Sequence, residues 1–372
     1  MNAAVFLGIL VALYVFFGVL LFAGTFLKQR KWPLKDFPKV SVVLAARNEE
    51  KELPAFLRSL LHLTYPRENL EIFLVNDRST DKTGEIFDQL AARHDFIQAI
   101  HIESHPPTLS GKENALHAAM EKATGEFIFF TDADCLLPPH WIQALLRYFD
   151  ADTGLVCGQT YLASRHGRHT IWEAVQALDW AYLLTAAAGA TGLNQPTSCI
   201  GNNMALRKQV YFQVGGFPHI GFSVTEDYAL VRSICQRTDW DIHFPIDPRT
   251  TVLSFPEKTL RDFFRQRKRW LVGGKKVRLF GFLLMVTSFL NHLILPVALF
   301  LPGFYPLATA GFALVFATDA LLLLRSLIPN KKTGLFLFFP FYEIFYFLYT
   351  LVLSLFAFSN TVHWKGTDYQ AR

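Results

Sequence analysis

The sequence predicts an α/β domain with a mostly parallel sheet, accompanied by apolar helices long enough to cross a membrane. Two observations lead there. Between Lys39 and about Pro256, short apolar runs alternate with amphipathic stretches of helical period, the rhythm of parallel strands covered by helices. Outside that region the apolar residues, 51% of the whole chain, gather into long runs towards the two ends.

The first such run, residues 3–27, carries no charge and is long enough to span a hydrocarbon core. A cleaved leader would want a basic start and a shorter apolar stretch. Met1-Asn2 has no side-chain charge, which favours a retained anchor. Lys28, Arg30, Lys31 and Lys35 follow, so the positive-inside rule puts the downstream portion in the cytoplasm. In the middle, residues 40–45, 70–75, 99–102 and 127–130 read as buried strands, with helices expected at 52–63, 83–94 and 111–123. A further apolar stretch, 171–190, is interrupted by Glu173, Gln176 and Asp179 and reads as an interfacial or domain-covering helix. Three more spans are expected at 280–301, 305–328 and 335–358. The basic and aromatic stretch before them, 260–279, suits a helix lying in the membrane interface. The expected division is an anchor at 1–30, an α/β domain at 31–257, the interfacial helix at 258–279, and a membrane region with a short tail at 280–372. Asp319, Glu343 and His292 fall inside the terminal spans, where charge is costly; pairing within the bundle is the expected resolution.

The net charge of +5 comes largely from the clusters flanking the spans, and there is no long basic face of the kind nucleic-acid binders show. Cys135, Cys157, Cys199 and Cys235 have no CxxC spacing, which argues against a zinc site and fits reduced thiols.

Ligands of parallel sheets bind beyond the carboxyl ends of the strands, and a polar cluster follows each strand here. These are Arg47-Asn48-Glu49-Glu50, then Asn76-Asp77-Arg78-Ser79-Thr80-Asp81, then Ser110-Gly111-Lys112, and finally Asp132-Ala133-Asp134. Any one alone is ordinary cap or turn chemistry. Four on one edge describe a pocket for a nucleotide and its phosphates. Two carboxylates separated by one small residue can both reach a divalent cation that keeps open positions for phosphate oxygens. Lys112, opening a helix, offers a cation and backbone N–H groups to a diphosphate, unless it is a solvated surface lysine.

With Asp132-Ala133-Asp134, Thr225-Glu226-Asp227 and Gln266-Arg267-Lys268-Arg269-Trp270 in this order and spacing, the chain resembles the family 2 glycosyltransferases. Those are inverting enzymes of the GT-A fold that use nucleotide-diphospho-sugars, and the resemblance runs from Lys39 to about Lys275. It implies that Asp227 is the general base and that Arg269, with Lys112, stabilises the leaving diphosphate. It implies that Arg47, Asn48, Glu49 and Asp77 line the nucleotide pocket, and that Asp134 holds a Mg²⁺ or Mn²⁺. Asp132 either shares that metal or faces the ribose. Glu226, Gln266 and Trp270 are implied on the substrate side, with Trp270 stacking on a sugar or simply packing. Asn76 stands where many relatives have Asp, and no Phe-x-Val-Thr-x-Lys segment is evident, which disfavours cellulose-like synthesis. The expectation is a metal-dependent enzyme of the bacterial inner membrane that moves a sugar, from a UDP-sugar by resemblance, to a lipid hydroxyl. A processive polysaccharide synthase and a non-catalytic sugar-nucleotide-binding subunit are the alternatives.

Overall fold

The structure is a computed structural model that describes residues 3–104, 109, 111–274, 277–356, 361–364 and 367–370; Ser110, Lys275 and the end of the tail lie outside the described residues. Along the chain the elements are α1 (Ala3–Gly24), β1 (Val40–Ala46), α2 (Leu53–Leu61), β2 (Leu70–Asp77), α3 (Thr83–Ala91), β3 (Ile97–Ile102), α4 (Lys112–Lys122), β4 (Phe127–Thr131), α5 (Trp141–Leu146), β5 (Thr153–Cys157) and β6 (Thr160–Leu162). There follow α6 (Ile171–Gly192), β7 (Asn203–Arg207), α7 (Lys208–Gln213), α8 (Gly216–Ile220), α9 (Glu226–Arg237), β8 (Asp241–His243), β9 (Val252–Ser254), α10 (Leu260–Gly273), α11 (Leu279–Ala298), α12 (Tyr305–Leu327), α13 (Phe339–Leu355) and the hairpin strands β10 (Thr361–Trp364) and β11 (Thr367–Gln370). They form two compact units: Gln29–Tyr161 with Ser198–Phe255, and Met1–Lys28 with Leu162–Thr197 and Pro256–Arg372.

The first of these is the α/β unit. Its seven-stranded sheet has the order β3-β2-β1-β4-β7-β5-β8, and only β7 runs against the rest. Strands β1, β2, β4 and β5 are buried almost throughout, which is why they read as unbroken apolar runs rather than alternating ones. Phe56, Leu60, Phe87, Phe129, Trp141 and Ile142 fill the space between sheet and helices. One buried carboxylate pins the opposite edge of the sheet. Glu71 accepts hydrogen bonds from the Ser41 hydroxyl (2.5 Å) and the N–H groups of Thr124 (2.6 Å) and Gly125 (3.1 Å). Burial pushes its pKa up, but these donors outweigh that and hold it below the usual carboxylate value.

The other unit is helical apart from its hairpin. Four helices are long and apolar enough to cross a membrane: Ala3–Gly24, Leu279–Ala298, Tyr305–Leu327 and Thr333–Leu355. Their outward faces leave Phe16, Val19, Phe282, Leu314, Ile344 and Leu348 exposed, a pattern suited to lipid rather than water. Helix α6 is buried along most of its length although it carries Asp179, Gln176 and Glu173. Thr170 and Glu173 close its first turn as a reciprocal cap. Its C-terminal half meets α1 through glycines: a Cβ on Gly189 would lie 2.2 Å from the Leu21 carbonyl oxygen, and one on Gly192 would lie 2.0 Å from that of Gly24. Small residues let helix backbones approach this closely.

Two boundaries differ from the sequence reading. The segment containing α6 was expected within the α/β domain at 31–257, but Leu162–Thr197 folds with the helical unit, because its apolar surface is buried against α1, α12 and α13. The helix expected over 258–279 stops at Gly273, where Gly273-Gly274 breaks it, and α11 starts separately at Leu279.

Gly189→Ala is expected to destabilise the protein by about 1–3 kcal/mol through overpacking of the α1–α6 crossing. Gly8→Ala, where a Cβ meets nothing within 4 Å, serves as the control. Thermal unfolding in detergent reads both; equal midpoints would refute the close crossing.

Candidate active site

The carboxyl ends of β1, β2 and β4 are held level by their register, with Ala46 opposite Asn76 and Leu44 opposite Thr131. The loops leaving β1 and β2 are laced together by their backbones. Asn48 N–H donates to Ser79 Oγ (3.0 Å), Glu49 N–H to Thr83 Oγ1 (2.9 Å) and Glu50 N–H to Asp81 Oδ2 (3.1 Å), while Asn48 Oδ1 accepts from Thr80 N–H (2.8 Å). Asn48 and Arg78 adopt left-handed backbone conformations with φ of 57° and 54°. Asp77 is buried at the end of β2 with Arg78 Nε 3.1 Å away. Asn76 has a structural task here: its Oδ1 accepts from Ser79 N–H and its amide lies 3.1 Å from His101 Nδ1.

At the centre stands Lys112, the first residue of α4. Its Nζ lies 2.6 Å from Asp132 Oδ1 and 3.0 Å from Glu226 Oε1. Burial alone would lower its pKa, but the two carboxylates outweigh it and raise it above the ordinary lysine value, so the ammonium stays charged. The solvated-lysine reading is therefore set aside. Lys112 ties the strand-end pair of β4 to the first turn of α9, where Glu226 and Asp227 sit. Asp227 is fixed by two backbone donors, Gly201 N–H to Oδ2 at 2.8 Å and Tyr228 N–H to Oδ1 at 2.7 Å. The Gly201 loop is anchored in turn by Asn203, whose side chain accepts from Trp141 Nε1 (2.8 Å) and donates to the carbonyls of Gln159 (2.7 Å) and Thr250 (2.9 Å).

Asp134 lies beside this ion cluster and takes no part in a salt bridge among the described residues. Its Oδ2 accepts from Ser254 Oγ at 2.8 Å. Burial pushes its carboxyl pKa up, and the charges of Asp132 and Glu49 add to the effect. A hard divalent cation favours two carboxylates one residue apart at a strand end, so Asp134, with Asp132 beside it, fits Mg²⁺ or Mn²⁺. Glu113, next to Lys112, was not singled out from the sequence. It accepts from Ser223 N–H at 2.7 Å, and burial pushes its pKa up to about 9, with the charge of Glu226 contributing.

The structure thus brings Asp77, Lys112, Asp132, Asp134, Glu226 and Asp227, with the Arg47-Asn48-Glu49 segment, to one edge of one sheet. Gln266, Arg269 and Trp270 belong to the helical unit, on α10. There Gln266 Nε2 donates to Glu257 Oε1 (2.9 Å), and Trp270 packs against Trp180 at 4.9 Å between ring centroids. The first arginine of the run is the buried one: Arg267 pairs with Asp179 of α6, and Asp179 also accepts from Tyr349 Oη at 2.7 Å. Asp179, one of the polar interruptions of the apolar stretch of α6, was the signal for that pair.

The sequence profile described as Glycosyl transferase family 2 matches residues 41–215. That match takes in just under half of the chain, and the sheet has the GT-A architecture. Over the fold as a whole, the chain is similar to a mannosyltransferase from Pyrobaculum calidifontis solved with GDP-mannose and Mn²⁺, with a TM-score of 0.59, 18% identity, and coverage of 94% of this chain and 99% of that one. Among curated proteins it is 27% identical to the probable glycosyltransferase YdaM of Bacillus subtilis, over 66% of this chain and 58% of that protein. It is 26% identical to a beta-monoglucosyldiacylglycerol synthase of a Nostoc species (64% and 49% covered) and to a poly-beta-1,6-N-acetyl-D-glucosamine synthase of Staphylococcus epidermidis (65% and 56% covered). The chain spans about half the length of the curated relatives it matches.

The Glu113 value has a definite consequence. Between its unfolded pKa near 4.5 and about 9, the folded state keeps a proton that the unfolded state releases, so this group makes stability fall as pH rises. Glu113→Gln should flatten the pH dependence of the unfolding midpoint between pH 5 and 9, taking the strongest effect at the alkaline end. An unchanged slope would show that the carboxyl is ionised in the fold.

Proposed function

We propose that the protein is a membrane-bound, inverting, metal-dependent glycosyltransferase that moves a sugar from a nucleotide-diphospho-sugar to a lipid hydroxyl. The observation that carries this reading is the Asp132–Lys112–Glu226 ion cluster, which joins a metal-type aspartate pair to the helix turn holding Asp227. In the proposed reaction Asp227 removes the proton of the acceptor hydroxyl as the oxygen attacks the anomeric carbon. The nucleoside diphosphate leaves from the opposite face, which inverts the configuration. Lys112 moves from its two carboxylates to the negative charge that develops on the diphosphate. A divalent cation held by Asp134, with Asp132 beside it, would supply Lewis-acid stabilisation of that leaving group. Arg47, Asn48, Glu49 and Asp77 are assigned to the nucleoside end. Arg269 is proposed as a further cation for the diphosphate, with Gln266 and Trp270 on the acceptor side.

The lipid acceptor is supported by the four apolar helices and by the glucosyldiacylglycerol synthases among the relatives. The basic run after α1 supports a catalytic unit on the cytoplasmic face of a bacterial inner membrane. A processive polysaccharide synthase is the second reading, favoured by the poly-N-acetylglucosamine synthase among the relatives.

Asp227→Asn should lower kcat by roughly 10²–10⁴-fold while donor affinity stays within a few-fold, because it removes the base and spares the phosphate contacts. Turnover near that of the parent would rule out Asp227 as the base. Asp134→Ala should weaken donor binding only when Mn²⁺ or Mg²⁺ is present; isothermal titration with and without metal measures this, and identical metal-dependent affinities would remove Asp134 from the metal site.

A further inference from the structure

We propose that His292, Asp319 and Glu343 form a second metal site, inside the helical unit, for a divalent transition-metal ion of the zinc class. The three residues come from three different helices, α11, α12 and α13, and each offers one ligand atom within 4.8 Å of the others. All three are buried, with 7%, 1% and 4% of their surfaces exposed.

The hydrogen bonds around the cluster define what it lacks. His292 Nδ1 lies 2.8 Å from the carbonyl oxygen of Ser288. A carbonyl can only accept, so Nδ1 carries the hydrogen and the neutral ring presents a lone pair at Nε2. Among the described residues that Nε2 has no hydrogen-bond partner, and neither has Glu343 Oε1. Asp319 Oδ1 accepts from Tyr14 Oη at 2.6 Å, and Tyr14 Oη is 3.2 Å from that of Tyr182. Among the described residues no lysine or arginine forms a salt bridge with Asp319 or Glu343. An imidazole lone pair and two carboxyl groups gathered away from water must take up protons or a shared cation, and the geometry of three convergent ligand atoms suits the cation.

A divalent ion answers each part of that description. Two carboxylates and a doubly charged cation sum to zero, which suits an apolar surrounding. One nitrogen and two oxygens are ligands that zinc accepts, at about 2.0–2.2 Å, so its ligand atoms stand about 3–4 Å apart and small side-chain shifts suffice to close the site. The Nδ1–H to carbonyl bond is the outer contact that typically orients a metal-binding histidine. The ring is further held by edge contacts with Tyr346 at 4.6 Å and Tyr14 at 5.8 Å between centroids. The nitrogen ligand separates this site from the all-oxygen Asp132/Asp134 pair, which suits Mg²⁺ or Mn²⁺ better. Occupied, the ion would cross-link three helices that no disulfide joins, all four cysteines being free.

The test uses the full chain in detergent with Asp134→Asn as background, which weakens the other proposed metal site by removing one of its two carboxylates. The protein is loaded with Zn²⁺ or Co²⁺, dialysed free of excess, and its metal content measured by mass spectrometry. The expected result is about one equivalent retained, falling to under a tenth of that when His292→Gln or Glu343→Gln is added. Co²⁺ loading should also give visible absorption of a low-symmetry nitrogen–oxygen site, lost in both variants. Should one variant fail to fold, the other and the Co²⁺ spectrum of the background protein decide. No metal retained by the background protein, or retention unaffected by His292→Gln, would overturn the proposal. If the Asp134 metal reading is itself wrong, the unsubstituted chain and the background protein will retain the same amount of zinc, so the two failures are distinguishable.

Discussion

The polar edge of the α/β unit is organised around the Lys112 ammonium. Without the Lys112 ammonium, Asp132 and Glu226 would lose the cation they share across two elements. With Nζ 2.6 Å from Asp132 and 3.0 Å from Glu226, the end of β4 and the start of α9 are drawn together, although the residues are far apart in sequence. The cluster is an arrangement of substitutable parts: a phosphate-bearing ligand brings negative charge to the lysine, and a divalent ion brings positive charge to the carboxylates. A site held together by the same kind of charge that its proposed substrate carries can exchange internal pairs for substrate contacts. It does so without leaving a buried charge alone, the condition under which a broken pair costs most.

The helical unit solves a different problem, that of polar groups away from water. It pairs Arg267 with Asp179, gives Asp179 a second donor in Tyr349, and stacks Arg267 over Trp270 at 4.2 Å. The approach of α1 and α6 through Gly24, Gly189 and Gly192 brings backbones rather than side chains together. His292, Asp319 and Glu343 are the group that these internal partners do not complete.

Much of the fold was legible because its periods are clean. Strands buried on both faces, such as Leu70–Asp77, read as continuous apolar runs, and the helices between them show one apolar face. The gathering of polar residues was legible where strand ends dictate it, as with Asp132-Ala133-Asp134 just past β4. Other features were hidden for physical reasons. The apolar content of α6 would suit any buried surface, so nothing in its sequence told which unit it joins. In Arg267-Lys268-Arg269 three cations differ only in helical phase, and a phase argument needs the partner, Asp179, nearly ninety residues away. Glu113 looks like any helix-start acid until Ser223 and Glu226 are seen against it. Asn76, a departure from the expected acid, proved to brace its own loop. The three polar groups of the spans were each visible in sequence, but their convergence depends on helix rotation, which composition does not encode.

The most direct test of the central claim is a transfer assay on the purified chain in detergent, with radiolabelled UDP- and GDP-sugars, membrane lipid and Mn²⁺ or Mg²⁺. The account predicts label in one discrete band of the organic extract, abolished by EDTA and absent with Asp227→Asn. Label confined to insoluble, high-mass material would contradict the lipid acceptor and favour a polysaccharide synthase. Donor binding without label in either fraction would contradict the account as a whole.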